Sequence, residues 1–213
     1  AGEGRRWQPP SGAALSFDFR GCPVCRLRIR DVRWPPGIAS ALARASELEA
    51  DVGARAARRL RRDPGHRGDD AVRPGGAFDG RPREYALTLY GYYLCEECRK
   101  PYFGGERRCA PGVAAAAASQ QGQGRRVCGG CAALRAGVKC PKGHDPTFIE
   151  WKCRYCCSVA CWFCFGTTHL CDACHEDPHR SAKPCRGPGR CPLGARHPAN
   201  GSQEAHCLGC SLC

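Results

Sequence analysis

The stretch from Cys140 to Asp177, CPKGHDPTFIEWKCRYCCSVACWFCFGTTHLCDACHED, decides the fold. It carries the CxxC pairs Cys153/Cys156, Cys161/Cys164 and Cys171/Cys174, and little of the apolar text that builds an ordinary core. Outward from it the same spacing recurs at Cys22/Cys25, Cys95/Cys98, Cys128/Cys131 and Cys207/Cys210, with Cys213 prolonging the last pair. Twenty cysteines in 213 residues leave two readings, a secreted disulfide scaffold or a metal-binding chain. Spacing favours the metal: sulfurs with two residues between them fit side by side on a zinc tetrahedron, whereas structural disulfides join distant segments. The expected fold is a small, zinc-stabilised, irregular β-hairpin domain of several knuckles, preceded by one linker helix.

Taken in order, the ligands are Cys95, Cys98, Cys128, Cys131, Cys140, His144, Cys153, Cys156, Cys157, Cys171, Cys174, Cys185, Cys191, His197, Cys207 and Cys210, enough for about four Zn(II). The first four form a zinc ribbon from two CxxC pairs. The remainder are expected to pair as Cys140/His144 with Cys171/Cys174, Cys153/Cys156 with Cys185/Cys191, and Cys157 with His197, Cys207 and Cys210.

Organisation follows composition. Residues 1–33 hold one isolated pair, Cys22/Cys25. Residues 34–83 read as a linker helix over Gly37–Leu60, rich in Ala, Leu and Arg, and then a flexible Pro/Gly/Asp-rich run from Arg61 to Arg83. Residues 84–213 form the zinc domain, opening on a strand in YALTLYGYYLC from Tyr85. Between Cys98 and Cys128 the glycines and glutamines predict a mobile loop with Cys109 near its start. The chain has no methionine and opens on AGEGRRW, which reads as a piece of a longer protein, and no apolar run approaches membrane-spanning length. Reduced, metal-binding cysteines place the expected setting inside the cell, cytoplasmic or nuclear.

The formal charge of +13 invites nucleic acid as a partner, but it counts every cysteine as neutral. Fourteen thiolates around four Zn(II) would lower it to about +7. What remains gathers at Arg55, Arg58, Arg59, Arg61, Arg62, Arg67 and Arg73, a pattern that more often marks a solvated helix face than a groove-reading surface.

The ligand partition leaves Cys109, Cys161, Cys164 and Cys213 spare, besides the N-terminal pair. Cys161 lies among Ala160, Trp162 and Phe163 and reads as a small packed hydrophobe. Cys109 follows Arg107 and Arg108, whose charges favour a thiolate; Cys164 is close in sequence to His169 and His175. Both are candidate nucleophiles. The plainer readings are a surplus loop thiol for Cys109, a core cysteine or a ligand alternating with Cys157 for Cys164, and solvent-facing or extra-ligand roles for the histidines.

GYYLCEECRKPYFGGERRC, the Cys140–Asp177 block and a final C…CPLGARH…CLGC together resemble the tandem cysteine domain of the Highwire/Pam (PHR) family of RING-Cys-relay ubiquitin ligases. The likeness runs from about Tyr85 to Cys210. FRGCPVCRLRIRD similarly resembles the last ligand pair of that family's RING, which makes Cys22 and Cys25 a partial RING site and residues 1–33 its C-terminal remnant.

The resemblance implies a ligase that takes ubiquitin from a conjugating enzyme as a thioester on a loop cysteine, here Cys109 in GGERRC. Ubiquitin then passes to Cys164 in CFGTTH and is esterified onto a threonine or serine hydroxyl. It further implies His175 in CDACH as the catalytic histidine and Phe165 as part of the acceptor site. Arg125 departs from the family pattern, standing where a glutamate assists the histidine. The alternative is a non-catalytic zinc module that positions a substrate for a RING.

Overall fold

The computed structural model describes residues 14–17, 22, 24, 25, 27, 35–63, 65–107, 124–164 and 168–213. The chain divides into two compact units, Ala1–Leu89 and Tyr90–Cys213. Cys109 and Phe165 lie outside the described residues.

In the first unit, α1 runs Pro36–Arg62. Pro36 sits in the first turn, where its missing N–H costs nothing, and Arg59, Arg61 and Arg62 occupy the last turn, where positive charge complements the helix dipole. Val52, Gly53, Ala56 and Leu60 make one buried stripe. Against it packs α2, Pro82–Leu89. The approach is tight at Gly53, where an added Cβ would stand 2.7 Å from the Arg83 side chain.

Two expectations are corrected here. YALTL belongs to a helix, because a Pro-initiated turn facing α1 outweighs the strand signal of its Tyr and Thr. The run expected to be flexible is built of ordered turns over residues 65–81: Phe78 N–H donates to Ala71 C=O at 2.7 Å, and Asp69 caps the short 3-10 turn Asp70–Val72. Gly76 fits there because a Cβ would meet the Asp70 carbonyl oxygen at 2.3 Å.

The second unit has the expected irregular β-hairpin character. Strands β1 (Tyr90–Leu94) and β2 (Pro101–Glu106) form an antiparallel hairpin whose connection carries Cys95 and Cys98. A three-stranded sheet has the order β3 (Gly124–Arg125), β5 (Trp162–Cys164), β6 (Thr168–Leu170). Strand β4 (Ile149–Trp151) pairs with β7 (Cys207–Cys210), returning the end of the chain to its middle. Helices α3 (Gly129–Arg135) and α4 (Asp172–Glu176) each begin directly after a cysteine, Cys128 and Cys171 respectively. Among the described residues the buried clusters of this unit include Ala132, Ala133, Ile149 and Trp151, and Leu170 with Cys153, Cys156, Cys164, Cys171 and Cys174, while Tyr90, Tyr92, Tyr93 and Tyr102 are buried as well. Among the described residues no helix is long and apolar enough to cross a membrane.

Candidate metal centres and thiol site

Among the described residues, four groups of cysteine and histidine bring their ligand atoms within 4.8 Å of one another. The first is Cys95, Cys98, Cys128 and Cys131, as the two CxxC pairs required. Its Cys95–Cys131 and Cys98–Cys128 sulfurs are 3.7 Å apart. A disulfide would hold them at about 2.05 Å, whereas thiolates about 2.3 Å from one tetrahedral Zn(II) stand about 3.8 Å apart. The donor set and its spacing therefore fit zinc.

The other three groups correct the expected pairings. Cys140 and His144 meet Cys210 and Cys213; Cys153 and Cys156 meet Cys171 and Cys174; Cys157 meets Cys185, Cys191 and His197. The β4–β7 ladder explains the first, since Ile149 opposite Cys210 carries the chain end toward Cys140. The β5–β6 hairpin explains the second by returning Cys171 and Cys174 to Cys153 and Cys156. Cys207, expected as a ligand, belongs to none of the four groups, and Cys213 takes the fourth place in its stead. Cys207 pairs across from Trp151 and packs on the Ala132–Trp151 cluster, and burial pushes its thiol up.

Crowded sulfurs suit a cation. In the Cys153 group, hydrogen bonding with Cys153 pushes the Cys171 and Cys174 thiols up and the Cys156 thiol down. Protons are thus shared unevenly among buried sulfurs, and a divalent ion removes the conflict by holding all four as thiolates. Outer contacts orient the ligands: His197 Nδ1 lies 2.8 Å from the Pro198 carbonyl oxygen, leaving Nε2 for the metal, and Asn200 donates to Cys157 Sγ at 3.4 Å. Cys22 is half-buried and Cys25 exposed, and among the described residues they join no such group.

Cys164 stands outside the four groups, 3% exposed at the end of β5, and burial pushes its thiol up. Cys161 is fully buried, as expected of a packed residue. His175, on α4, stacks on Trp162 with centroids 3.9 Å apart and planes 3° from parallel; burial pulls its pKa down and keeps the ring neutral. His169 is neither solvent-facing nor a ligand in any group. It is buried between Trp151 (4.5 Å) and Phe163 (4.8 Å), with a pKa lowered to about 4 by burial.

Around Trp162 lies a polar cluster centred on Asp172. Asp172 accepts hydrogen bonds from Trp162 Nε1 at 2.6 Å, from Arg126 at 3.0 Å and from the Tyr93 hydroxyl. Arg125 points away from it and reaches Glu96 at 3.4 Å.

Hairpins, short helices and four tetrads define a small cysteine-rich domain suited to zinc. No family model matches the chain. It is 36% identical over 98% of its length to a Danio rerio protein described as E3 ubiquitin-protein ligase MYCBP2, and 35% identical over 98% to the Drosophila melanogaster E3 ubiquitin-protein ligase highwire. The chain belongs to the family these two proteins represent. It spans 5% and 4% of their respective lengths.

Proposed function

We propose that this chain is the ubiquitin-transferring part of an E3 ligase, folded around four Zn(II), that works in an intracellular, reducing setting with ubiquitin and a conjugating enzyme as partners. Ubiquitin passes as a thioester from Cys109 to Cys164, an exchange that is nearly balanced in energy and mainly requires two thiolates to meet. A substrate threonine or serine hydroxyl then attacks the thioester carbonyl. The C–O bond forms, the C–S bond breaks, His175 takes the hydroxyl proton, and Cys164 leaves as thiolate. Zinc has a structural role and takes no part in these steps.

One observation carries the reading. Trp162 and Cys164 are two positions apart on β5, so both project to one face of the strand, and the neutral ring of His175 lies against Trp162. A base and a thiol outside the metal groups thus share one side of the sheet. The burial of Cys164 favours the second reading, a non-catalytic module that holds a substrate near a RING.

The deciding experiment joins the chain to a complete RING and supplies a ubiquitin-loaded conjugating enzyme. Thiol-sensitive adducts on Cys109 and Cys164, with threonine discharge lost in Cys109→Ser and Cys164→Ser, support the relay. Absence of adducts on both thiols leaves the binding module.

A further inference from the structure

Two adjacent arginines, Arg125 at the end of β3 and Arg126 just beyond it, have opposite fates. Gly124 pairs with Cys164 and Arg125 with Phe163, so Arg126, one step on, comes beside Trp162. Alternation along the strand sends Arg125 outward and Arg126 inward. Arg126 is 5% exposed, its guanidinium 3.8 Å from the Tyr93 ring centroid and 4.2 Å from that of Trp162. His175 lies parallel to the same indole at 3.9 Å. Groups this close to one indole occupy its two faces, giving the stack Tyr93, Arg126, Trp162, His175.

Asp172 clamps the stack at its edge, with Trp162 Nε1 and the Arg126 guanidinium both donating to its Oδ1. The Arg126 backbone is fixed as well: Glu96 N–H donates to its carbonyl at 2.9 Å, and Glu96 Oε1 accepts from its N–H at 3.3 Å. Yet Nε and Nη1 of Arg126 are buried without a hydrogen-bond partner among the described residues. A buried charge with unpaired donors is a costly way to fill space, and an apolar side chain would do so at less cost. What the guanidinium supplies is a flat cation of fixed orientation between two rings.

We infer that Arg126 is a positioning residue for the ester-forming step: wedged between Tyr93 and Trp162 and tied to Asp172, it sets the plane of the indole against which the His175 ring rests. The inference rests on the function proposed above. Trp162 also packs on the cluster that contains Cys164, so a tilt of the indole moves the histidine relative to the strand bearing the thioester. The chemistry is unaltered: the hydroxyl proton goes to His175, the acyl group to the hydroxyl oxygen, and the sulfur leaves. Arg126 touches none of these atoms.

The test uses the chain joined to a complete RING, with Arg126→Met and Arg126→Lys. Three quantities are read: the thiol-sensitive adduct on Cys164, single-turnover discharge against threonine concentration, and the NMR shift of the His175 ring protons, which lie in the ring current of Trp162. Arg126→Met is expected to charge Cys164 as the wild type does and to discharge about 100-fold more slowly at saturating threonine. The half-saturating threonine concentration stays unchanged and the His175 shift moves downfield. Arg126→Lys, which keeps the cation but not the planar fork, recovers part of both losses. Wild-type discharge together with a wild-type His175 shift in Arg126→Met overturns the inference. If Arg126→Met loses zinc, Arg126→Lys decides, and an unaltered rate and shift there overturn it equally. Failure of the underlying relay reads differently, as a wild-type protein that forms no Cys164 adduct at all.

Discussion

Cys213 Sγ lies 3.5 Å from His144 Nδ1, although the two residues are 69 positions apart. Cys140 and Cys210 complete the group, whereas Cys207, in the same CxxCxxC run, faces the apolar cluster. Cys213→Ser should therefore lower bound zinc from about four ions per chain to about three. Cys207→Ser should leave the count unchanged and cost only packing, about 1 kcal/mol. Elemental analysis of the two variants, beside thermal unfolding, checks both. A loss of zinc in Cys207→Ser alone would reverse the ligand assignment.

That site also marks where the sequence could be read and where it could not. Cys95/Cys98 and Cys128/Cys131 are legible because two CxxC pairs complete a tetrahedron unaided. Cys210 and Cys213 reach Cys140 only through pairing of β7 with β4, a long-range contact that no local pattern specifies. The α1 helix was readable from its alanines, leucines and arginines, and its observed span of Pro36–Arg62 extends the expected one slightly at each end. Helix α2 was not readable, because it depends on the stripe that α1 presents. Arg126 and Arg125 are indistinguishable as letters; the register of β3 against β5 makes one a surface ion-pair partner and the other a buried cation.

Chelation should separate the two units. In Tyr90–Cys213 one buried cluster is Leu170 with five cysteines and another is only Ala132, Ala133, Ile149 and Trp151, so a strong chelator is expected to abolish the dispersed NMR spectrum of this unit. The α1–α2 pair contributes no residue to the four cysteine groups and should retain its helical signal. Acidification should act likewise, since protons compete with zinc for thiolates, and stability of the zinc unit falls as pH falls. Circular dichroism at 222 nm beside NMR checks the separation. Loss of the helical signal in step with the zinc unit would refute it.

Gly129 and Gly130 open α3 directly after Cys128, packed against the backbone that leads into β4. A Cβ at Gly129 would stand 1.8 Å from the Ile149 carbonyl oxygen, and one at Gly130 would stand 2.2 Å from that of Pro146. Both obstacles are main chain, which cannot swing aside as a side chain can. Gly129→Ala and Gly130→Ala should each cost about 3 kcal/mol and weaken zinc retention at the Cys128 and Cys140 groups together. Gly189→Ala, with open space around it, is the control expected to change little. Chemical denaturation of the three variants gives the comparison, and near-wild-type stability at Gly129→Ala would contradict the close packing.

The pH response of the helical unit should trace to one pair. Tyr85 donates its hydroxyl to Asp69 Oδ2, which holds that carboxyl below its usual range, with Ala71 N–H adding to the effect. Burial and the same carboxylate push Tyr85 up to about 12. The folded unit therefore binds fewer protons at Asp69 than the unfolded chain does, so this contribution is present above about pH 4 and is lost as pH falls through the lowered value. At Tyr85 the sign reverses: the folded state keeps its proton longer, and stability declines as pH rises from about 10 towards 12. Tyr85→Phe keeps the ring against Phe78, 5.3 Å away, and removes the hydroxyl. Urea midpoints of the helical signal from pH 3 to 11 should flatten at both ends in this variant relative to wild type. Identical slopes would mean that the pH response of this unit originates elsewhere.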